Sequence, residues 1–407
     1  MNRRHFVLAV AALSLGLTGC PSSGGGGSSA AKTYKIGVAG PFSGSGAAFG
    51  EMIRKATDLK LEEVNAAGGI NGQKVTAAYE DDRGDTTEAA NVSRKLASDP
   101  EVSIVVGHFN STCSNAGKEE YNRKGVVQFS PGSTNVAVCK GSPWTFRNLY
   151  SDDYQGIFLA RYAQDVLGAT KVAVFYDNDD YGKGLMTSFT AEAQKIGLEV
   201  LEPISYVRER TQDHKPSVEQ IKGEGVDLIF LSGLYNDAAL ITKAARQDVG
   251  LDVPVLAGDG VMNGKFIEMA GKSAEGAYVV APFLFEAAKD NPATQAFFEA
   301  FKKKYGHEPD TWAALTYDAV GMAVKALETT GPDREAVKAW MASITTPEKA
   351  YQGVTGPTYF DEHGDCSSKG AHVAVVKDGK FVAAEKQMAP DAASAAEAAE
   401  GEAPKKG

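Results

Sequence analysis

The chain has 407 residues, of which 43% are hydrophobic and 23% are charged, as in ordinary globular proteins. A chain of this length exceeds one ordinary hydrophobic core, so two lobes are expected. The formal net charge of −10 argues against nucleic acid and against an anionic membrane surface as partners. The net charge says little about a small ligand, because such a ligand interacts only with the charges around its own site.

The first twenty residues have the pattern of an export signal. Arg3 and Arg4 precede an apolar segment, residues 6–17, that is too short to span a bilayer comfortably. The segment ends in Leu17-Thr18-Gly19-Cys20, which resembles a bacterial lipobox. This resemblance implies cleavage before Cys20, a lipid on its sulfur and a location outside the cytoplasm. The alternative is a plain secretory signal with an accidental cysteine.

Two further segments are expected to lie outside the fold. Residues 21–33 are rich in serine and glycine, which predicts a flexible tether. Residues 388–407 have no large apolar residue after Met388, which predicts a disordered tail.

Export leaves Cys113, Cys139 and Cys366 in an oxidising compartment. One disulfide and one free thiol is the simplest solution for this odd number. A Cys113–Cys139 pair is favoured because both residues lie just beyond predicted strands of the same half, although spacing alone does not establish it. No metal site is predicted, because the sequence has no C-x-x-C motif and no cluster of histidines.

Between the tether and the tail, short apolar runs alternate with amphipathic segments. The first series has strands 34–39, 74–80, 103–106 and 126–129 and helices 49–66, 86–98 and 111–123. After residue 147 the second series has helices 153–167, 184–196, 212–222, 235–247 and 263–270 and strands 171–176, 199–206, 226–231, 253–256 and 277–280. Helices 292–305, 311–328 and 334–342 follow, then strands 372–376 and 381–383. This alternation predicts an α/β fold of two Rossmann-like lobes with parallel sheets, onto which the late elements pack back.

Ligands of open parallel sheets bind beyond the carboxyl ends of the strands. In the first series these ends carry hydroxyl groups at Ser111, Ser133 and Thr134, and Ser111 starts a helix whose free amides and dipole can seat a carboxylate. In the second series they carry Tyr181 and Tyr235, which can form an aromatic wall, and Asp259, whose carboxylate can bind an ammonium group. Each residue also has a structural interpretation, as a helix cap, a packing aromatic or a turn residue.

Motifs for enzymes and cofactors are missing from the sequence. It contains no G-x-x-x-x-G-K-[ST], no G-x-S-x-G and no H-E-x-x-H, and Phe49 replaces the third glycine that a dinucleotide site needs. His108 with Ser111 or Cys113 is the one base–nucleophile pair available to a hydrolase, and a structural role for His108 is favoured. We therefore expect a binding protein without a cofactor.

Eight segments resemble one family, the type I periplasmic solute-binding proteins of the branched-chain amino acid ABC transport class. They are Ile36-Gly37-Val38-Ala39-Gly40-Pro41-Phe42-Ser43-Gly44, Glu63-Val64-Asn65-Ala66-Ala67-Gly68-Gly69-Ile70-Asn71-Gly72, Val106-Gly107-His108 with Ser111, Ser130-Pro131-Gly132-Ser133-Thr134, Asp180-Tyr181-Gly182-Lys183-Gly184, Ala257-Gly258-Asp259-Gly260-Val261, Ser273-Ala274-Glu275-Gly276 and Gly356-Pro357-Thr358-Tyr359-Phe360-Asp361. The resemblance extends from about residue 34 to about residue 381.

The resemblance implies a role for each candidate residue. Ser111 and Thr134, with the amides around Gly132 and Ser133, would hold the α-carboxylate of an amino acid, and Asp259 would hold its ammonium group. The side chain of the ligand would be walled by Phe49, Tyr181 and Trp312. Tyr235 stands one position after the tyrosine of the family and carries less weight.

The resemblance also implies an architecture and partners. One lobe would comprise residues 34–152 and 282–357, and the other residues 153–281 and 358–387, with hinge crossings near 150–153, 280–283 and 357–361. Closure on the ligand would present a monomer to an ABC permease in the inner membrane. The alternative is a sensor module of the same fold that acts with a signalling partner.

Overall fold

The computed structural model describes residues 34–388. The predicted signal 1–20 with Cys20, the tether 21–33 and the tail beyond Met388 lie outside the described residues. No helix within 34–388 combines the length and the apolar character needed to cross a membrane.

The described chain alternates strands and helices, close to the predicted positions. The strands are β1 (Tyr34–Gly40), β2 (Val75–Asp81), β3 (Val102–Val106), β4 (Val127–Ser130), β5 (Thr145–Arg147), β6 (Lys171–Asp177), β7 (Glu199–Val200), β8 (Ile204–Tyr206), β9 (Leu228–Ser232), β10 (Val255–Ala257), β11 (Tyr278–Ala281), β12 (Tyr351–Gly353), β13 (Gly356–Thr358), β14 (His372–Lys377) and β15 (Lys380–Ala383). The helices are α1 (Ala47–Ala66), α2 (Thr86–Ser98), α3 (Ser111–Lys124), α4 (Asp152–Arg161), α5 (Asp180–Ile196), α6 (Lys215–Gly223), α7 (Tyr235–Lys243), α8 (Gly264–Ala270), α9 (Pro292–Tyr305), α10 (Thr311–Thr330) and α11 (Arg334–Ala342).

The first sheet has the strand order β2-β1-β3-β4-β5, and all of its strands are parallel. Strand β3 is buried on both faces: Ile104 and Val106 lie in the main core with residues of α1 and α10. Val105 lies in a second cluster with Val92 and Leu96 of α2. Helices on both faces explain why β3 is buried along its whole length and is apolar except at Ser103.

The second sheet has the order β15-β14-β11-β10-β9-β6-β7, and β8 also pairs with β6. Strands β6 to β11 pair in parallel, whereas β14 pairs antiparallel with both β11 and β15. The predicted α/β class with parallel central sheets is therefore confirmed. The short antiparallel hairpin β12–β13 was not predicted.

The chain passes between the two sheets three times. It leaves the first sheet after β5 and continues into α4, which packs against α5 beside the second sheet. After β11 it returns with α10, which packs on α1, and α11, which packs on β3 and β4. After β13 it goes back to the second sheet as β14. The three crossings are consistent with the predicted lobes, and the exact lobe boundaries stay a prediction.

The start of helix α5 differs from its prediction. It begins at Asp180 rather than residue 184, because the side chain of Asp179 accepts a hydrogen bond from the Gly182 amide at 2.8 Å and caps the helix. The polar character of residues 177–183 had favoured a loop. The earlier start places Tyr181 in the first turn of α5.

A buried network holds the loops at the carboxyl end of the first sheet. We call it the His108 network, and it comprises Asp82, Ser93, His108 and Tyr121. The imidazole Nδ1 of His108 lies 2.6 Å from Asp82 Oδ2, and Nε2 lies 3.0 Å from Ser93 Oγ and 3.2 Å from the Tyr121 hydroxyl. The carbonyl oxygen of His108 accepts a hydrogen bond from Ser130 Oγ at 2.7 Å. The network thus joins β2, α2 and α3 to the loops that follow β3 and β4.

Asp82→Ala is expected to lower the free energy of unfolding by about 1–3 kcal/mol, because it leaves the buried Nδ1 of His108 without its hydrogen-bond partner. Chemical denaturation of the purified protein measures this loss. Asp165→Ala, at an exposed position, serves as the control and should change stability by less than about 0.5 kcal/mol. Equal stability of the two variants would contradict a supporting role for the network.

Candidate functional site

The start of α3 lies beside the loop after β4. Asn110 occupies the cap position, and its side chain makes no capping hydrogen bond, so the first turn of α3 is not closed by a side chain. Ser111 Oγ accepts a hydrogen bond from the Asn135 amide at 3.2 Å, which links the two segments. Thr134 is 1% exposed, and its hydroxyl has no hydrogen-bond partner. Buried hydroxyl groups are normally paired, so Thr134 Oγ1 is available to a polar ligand atom.

The neighbouring residues Gly132 and Ser133 have a different environment. Both amides donate to Ser130 Oγ, at 3.3 and 2.9 Å, and the Ser133 hydroxyl donates to the Phe109 carbonyl oxygen at 2.8 Å. These groups hold the shape of the loop and are already bonded within it. The hydroxyl of Thr134 is the group of this loop that stays open.

Asp259 follows β10 in the second sheet and is 2% exposed. One carboxylate oxygen, Oδ1, accepts a hydrogen bond from the Tyr181 hydroxyl at 2.9 Å, whereas Oδ2 has no partner. Burial raises the pKa of Asp259 to about 7, and hydrogen bonds from Tyr181 and Gln155 oppose the rise. A buried carboxylate with one open oxygen is well suited to accept a cation.

Asp152, the first residue of α4, is a second buried acid that the sequence did not reveal as a site residue. It is fully buried beside the Thr134 hydroxyl, and its carboxylate oxygens make no hydrogen bond of standard geometry. Burial raises its pKa well above the usual range; the Thr134 hydroxyl opposes the shift and the nearby Asp259 adds to it. In the sequence it is indistinguishable from an ordinary acid in the first turn of a helix, after the cap Ser151.

Four aromatic rings form the apolar wall of the site: Phe49, Phe109, Tyr235 and Trp312. Phe49 stacks on Phe109 with ring centroids 4.4 Å apart, and Trp312 meets Phe109 edge-on at 4.9 Å. Tyr235 meets Phe49 at 5.2 Å. Phe109 was missed from sequence, because it continues a buried apolar strand and resembles a core residue. Of the predicted side-chain walls, Tyr181 lies instead beside the acid Asp259.

Elements of both sheets are bonded to each other around this wall. The Tyr235 hydroxyl donates to the Ser45 carbonyl oxygen at 2.6 Å, and Trp312 Nε1 donates to the Met262 carbonyl oxygen at 3.0 Å. The Asp180 amide donates to Thr112 Oγ1 at 3.1 Å, and Asn115 Nδ2 donates to Asp180 Oδ2 at 2.8 Å; these bonds join α5 to α3. The predicted residues of the two series therefore meet at one place.

The predicted Cys113–Cys139 disulfide is absent from the structure. Cys113, Cys139 and Cys366 are all buried free thiols. Cys113 lies in the first turn of α3 near Asp82, whereas the Cys139 thiol faces the Gly364 carbonyl oxygen at 3.6 Å. Because the two thiols have different neighbours, a shared half of the chain does not bring them together.

The arrangement does not provide a hydrolase centre. Both ring nitrogens of His108 are bonded within the fully buried His108 network, so the ring is not available to Ser111 or Cys113 as a base. Ser93, which touches the ring, donates its own hydroxyl to the Ala89 carbonyl oxygen at 2.7 Å. Within residues 34–388 no group of three or more metal-ligating side chains is placed to hold an ion.

A separate groove of about 600 Å³ contains none of the predicted site residues. It runs between the segment after β10 and helices α9 and α10, and it is lined by Met262, Phe285, Phe298 and Asp310 among others. The chemistry of the site therefore lies in the buried interior rather than in this open groove.

Comparison with known proteins agrees with the geometry. A sequence profile for the periplasmic binding protein family matches residues 33–380. Leu/Ile/Val-binding protein homolog 2 of Brucella abortus is 31% identical over 335 residues, 82% of this chain and 87% of that protein.

Two solved structures share the fold. The leucine binding protein LivK of Thermotoga maritima is 31% identical, with a TM-score of 0.81 over 88% of this chain and 99% of that chain. The branched-chain amino acid transporter substrate binding protein LivJ of Streptococcus pneumoniae, in complex with isoleucine, is 32% identical, with a TM-score of 0.81 over 88% of this chain and 100% of that chain. These relatives are solute receptors rather than enzymes. The chain belongs to the periplasmic binding protein family.

Proposed function

We propose that this protein binds a free α-amino acid, branched-chain or related, between its two lobes. The observation that carries the proposal is a pair of open, buried polar atoms, one from each sheet. Thr134 Oγ1 follows β4, and Asp259 Oδ2 follows β10. Thr134, Ser111 and the uncapped start of α3 together suit a carboxylate. Asp259 suits an ammonium group. A zwitterion satisfies both sides at once.

The class of ligand is supported by the relatives. One is named a Leu/Ile/Val-binding protein, and another was solved in complex with isoleucine. The apolar wall around Phe49 and Trp312 gives the remainder of such a ligand a dry surface. Because the ligand contacts groups from both sheets, it favours the arrangement in which the lobes are together.

The cellular role follows from the family and the leader pattern. We propose that the receptor lies outside the cytoplasm, is anchored by a lipid on Cys20, and delivers its ligand as a monomer to an ABC permease. Its role is binding and release without covalent chemistry. The closed arrangement of the lobes is the form that a permease would recognise.

Asp259→Asn is expected to weaken amino acid binding by roughly 10- to 150-fold, which corresponds to the loss of one charge-assisted hydrogen bond of about 1.5–3 kcal/mol. Isothermal titration calorimetry with a panel of α-amino acids measures the change. Glu268→Gln is the matched control, because it also removes one negative charge, from an exposed side chain on α8. Equal affinity of the wild type and Asp259→Asn would remove Asp259 from the site.

The affinity is expected to rise with pH and to level off above about pH 7. The pKa of Asp259 is raised to about 7, so below that pH the carboxyl group is largely protonated. An ammonium ligand favours the ionised form, so binding then releases a proton and the affinity falls by up to about tenfold per pH unit. Calorimetry in two buffers with different ionisation heats counts the released proton. A pH-independent affinity in the wild type would contradict this account, and Asp259→Asn should remove the dependence.

A further inference from the structure

Three rings of the apolar wall pack directly against one another. Phe49, Phe109 and Trp312 form a triangle in which the centroid distances are 4.4, 4.9 and 6.0 Å. Rings at these separations touch, and no methyl group fits between them. All three rings are almost completely buried. The wall is therefore a closed surface rather than an open pocket between rings.

Phe109 also lies directly against the loop that carries the carboxylate side of the site. A Cβ atom added at Gly132 would lie 2.3 Å from Phe109 Cδ2, so the ring covers the glycine without a gap. Gly132 stands two residues before Thr134. A ligand whose carboxylate is held at Thr134 thus has the ring of Phe109 close to its side chain.

Hydrogen bonds hold the neighbouring rings in place. Trp312 Nε1 is bonded to the Met262 carbonyl oxygen, and the Tyr235 hydroxyl is bonded to the Ser45 carbonyl oxygen. Rotation of either ring would leave a buried donor without its partner, which is costly. Phe109 has no such polar tie, but it is enclosed by Phe49, Trp312 and Gly132. The wall does not yield readily to a larger ligand.

The other side of the site is polar. Asp152 and Asp259 lie near Thr134, and the buried side chains of Tyr150 and Gln155 lie beside Asp259. An apolar ligand side chain is disfavoured in this direction, because it would be buried against polar groups that it cannot hydrogen-bond. A ligand side chain of any length must therefore face the aromatic wall.

We propose that the protein selects α-amino acids with small side chains, of the size found in glycine, alanine and serine, and that Phe109 sets this limit. The inference rests on the proposed binding of an α-amino acid, and within that class it favours the smaller relatives of the branched-chain amino acids over the branched-chain amino acids themselves. A side chain as large as that of leucine would have to displace Phe109 from Phe49 and Gly132. One extra methylene group that a hydrophobic site cannot accommodate changes the preference between two ligands by roughly 10- to 200-fold.

The test is calorimetry of glycine, alanine, serine, valine and leucine against the wild type, Phe109→Leu and a matched control. Phe298→Leu is the control, because it makes the same change in a half-buried ring of the separate groove. We expect the wild type and the control to bind alanine at least tenfold more tightly than leucine. Phe109→Leu should tighten leucine binding at least tenfold relative to alanine binding, so that the ratio of the two affinities shifts toward leucine.

Each outcome decides one question. A wild type that binds leucine as tightly as alanine, or a Phe109→Leu variant with an unchanged alanine-to-leucine ratio, overturns the size limit and leaves the proposed function intact. A wild type that binds no amino acid of the panel overturns the proposed function itself. Phe49→Leu, which opens the same wall from the other side of the stacked pair, replaces Phe109→Leu if that variant fails to fold, and the same shift toward leucine is expected.

Discussion

The structure depends on a buried carboxylate whose charge is only half satisfied. Asp259 is bonded to Tyr181 through one oxygen and has no partner at the other. Burying such a group is unfavourable, which is why its pKa rises to about 7. On the proposed function, the ammonium group of the ligand would reach the open oxygen and remove this unfavourable contribution.

The opposite side of the site is prepared by backbone geometry rather than by a charged side chain. The His108 network fixes the loop after β3, and Ser130 fixes the loop after β4 through the Gly132 and Ser133 amides. These bonds leave Thr134 Oγ1 as the open group and leave α3 without a side-chain cap. A neutral set of donors can hold a carboxylate without the desolvation cost of a buried cation.

Much of this architecture is visible in the sequence, because the strand–helix alternation and the strand ends have a simple physical basis. Ser111, Thr134 and Asp259 lie in the segments that follow apolar runs, and the carboxyl ends of parallel strands share one edge of a sheet. Phe109 and Asp152 were not predicted, since one resembles a core residue and the other an ordinary helix-start acid. The cysteine pairing failed because chain spacing does not show which strand ends become neighbours. The start of α5 was predicted too late, because the cap at Asp179 lies within a polar segment that resembles a loop.

The central claim is that one zwitterion joins Thr134 to Asp259. The most direct measurement is a crystal structure of the protein with a bound amino acid. The account predicts the ligand ammonium within about 3 Å of Asp259 Oδ2 and a carboxylate oxygen at a similar distance from Thr134 Oγ1. A bound amino acid that contacts neither atom, or that lies in the groove beside α9 and α10, would contradict it.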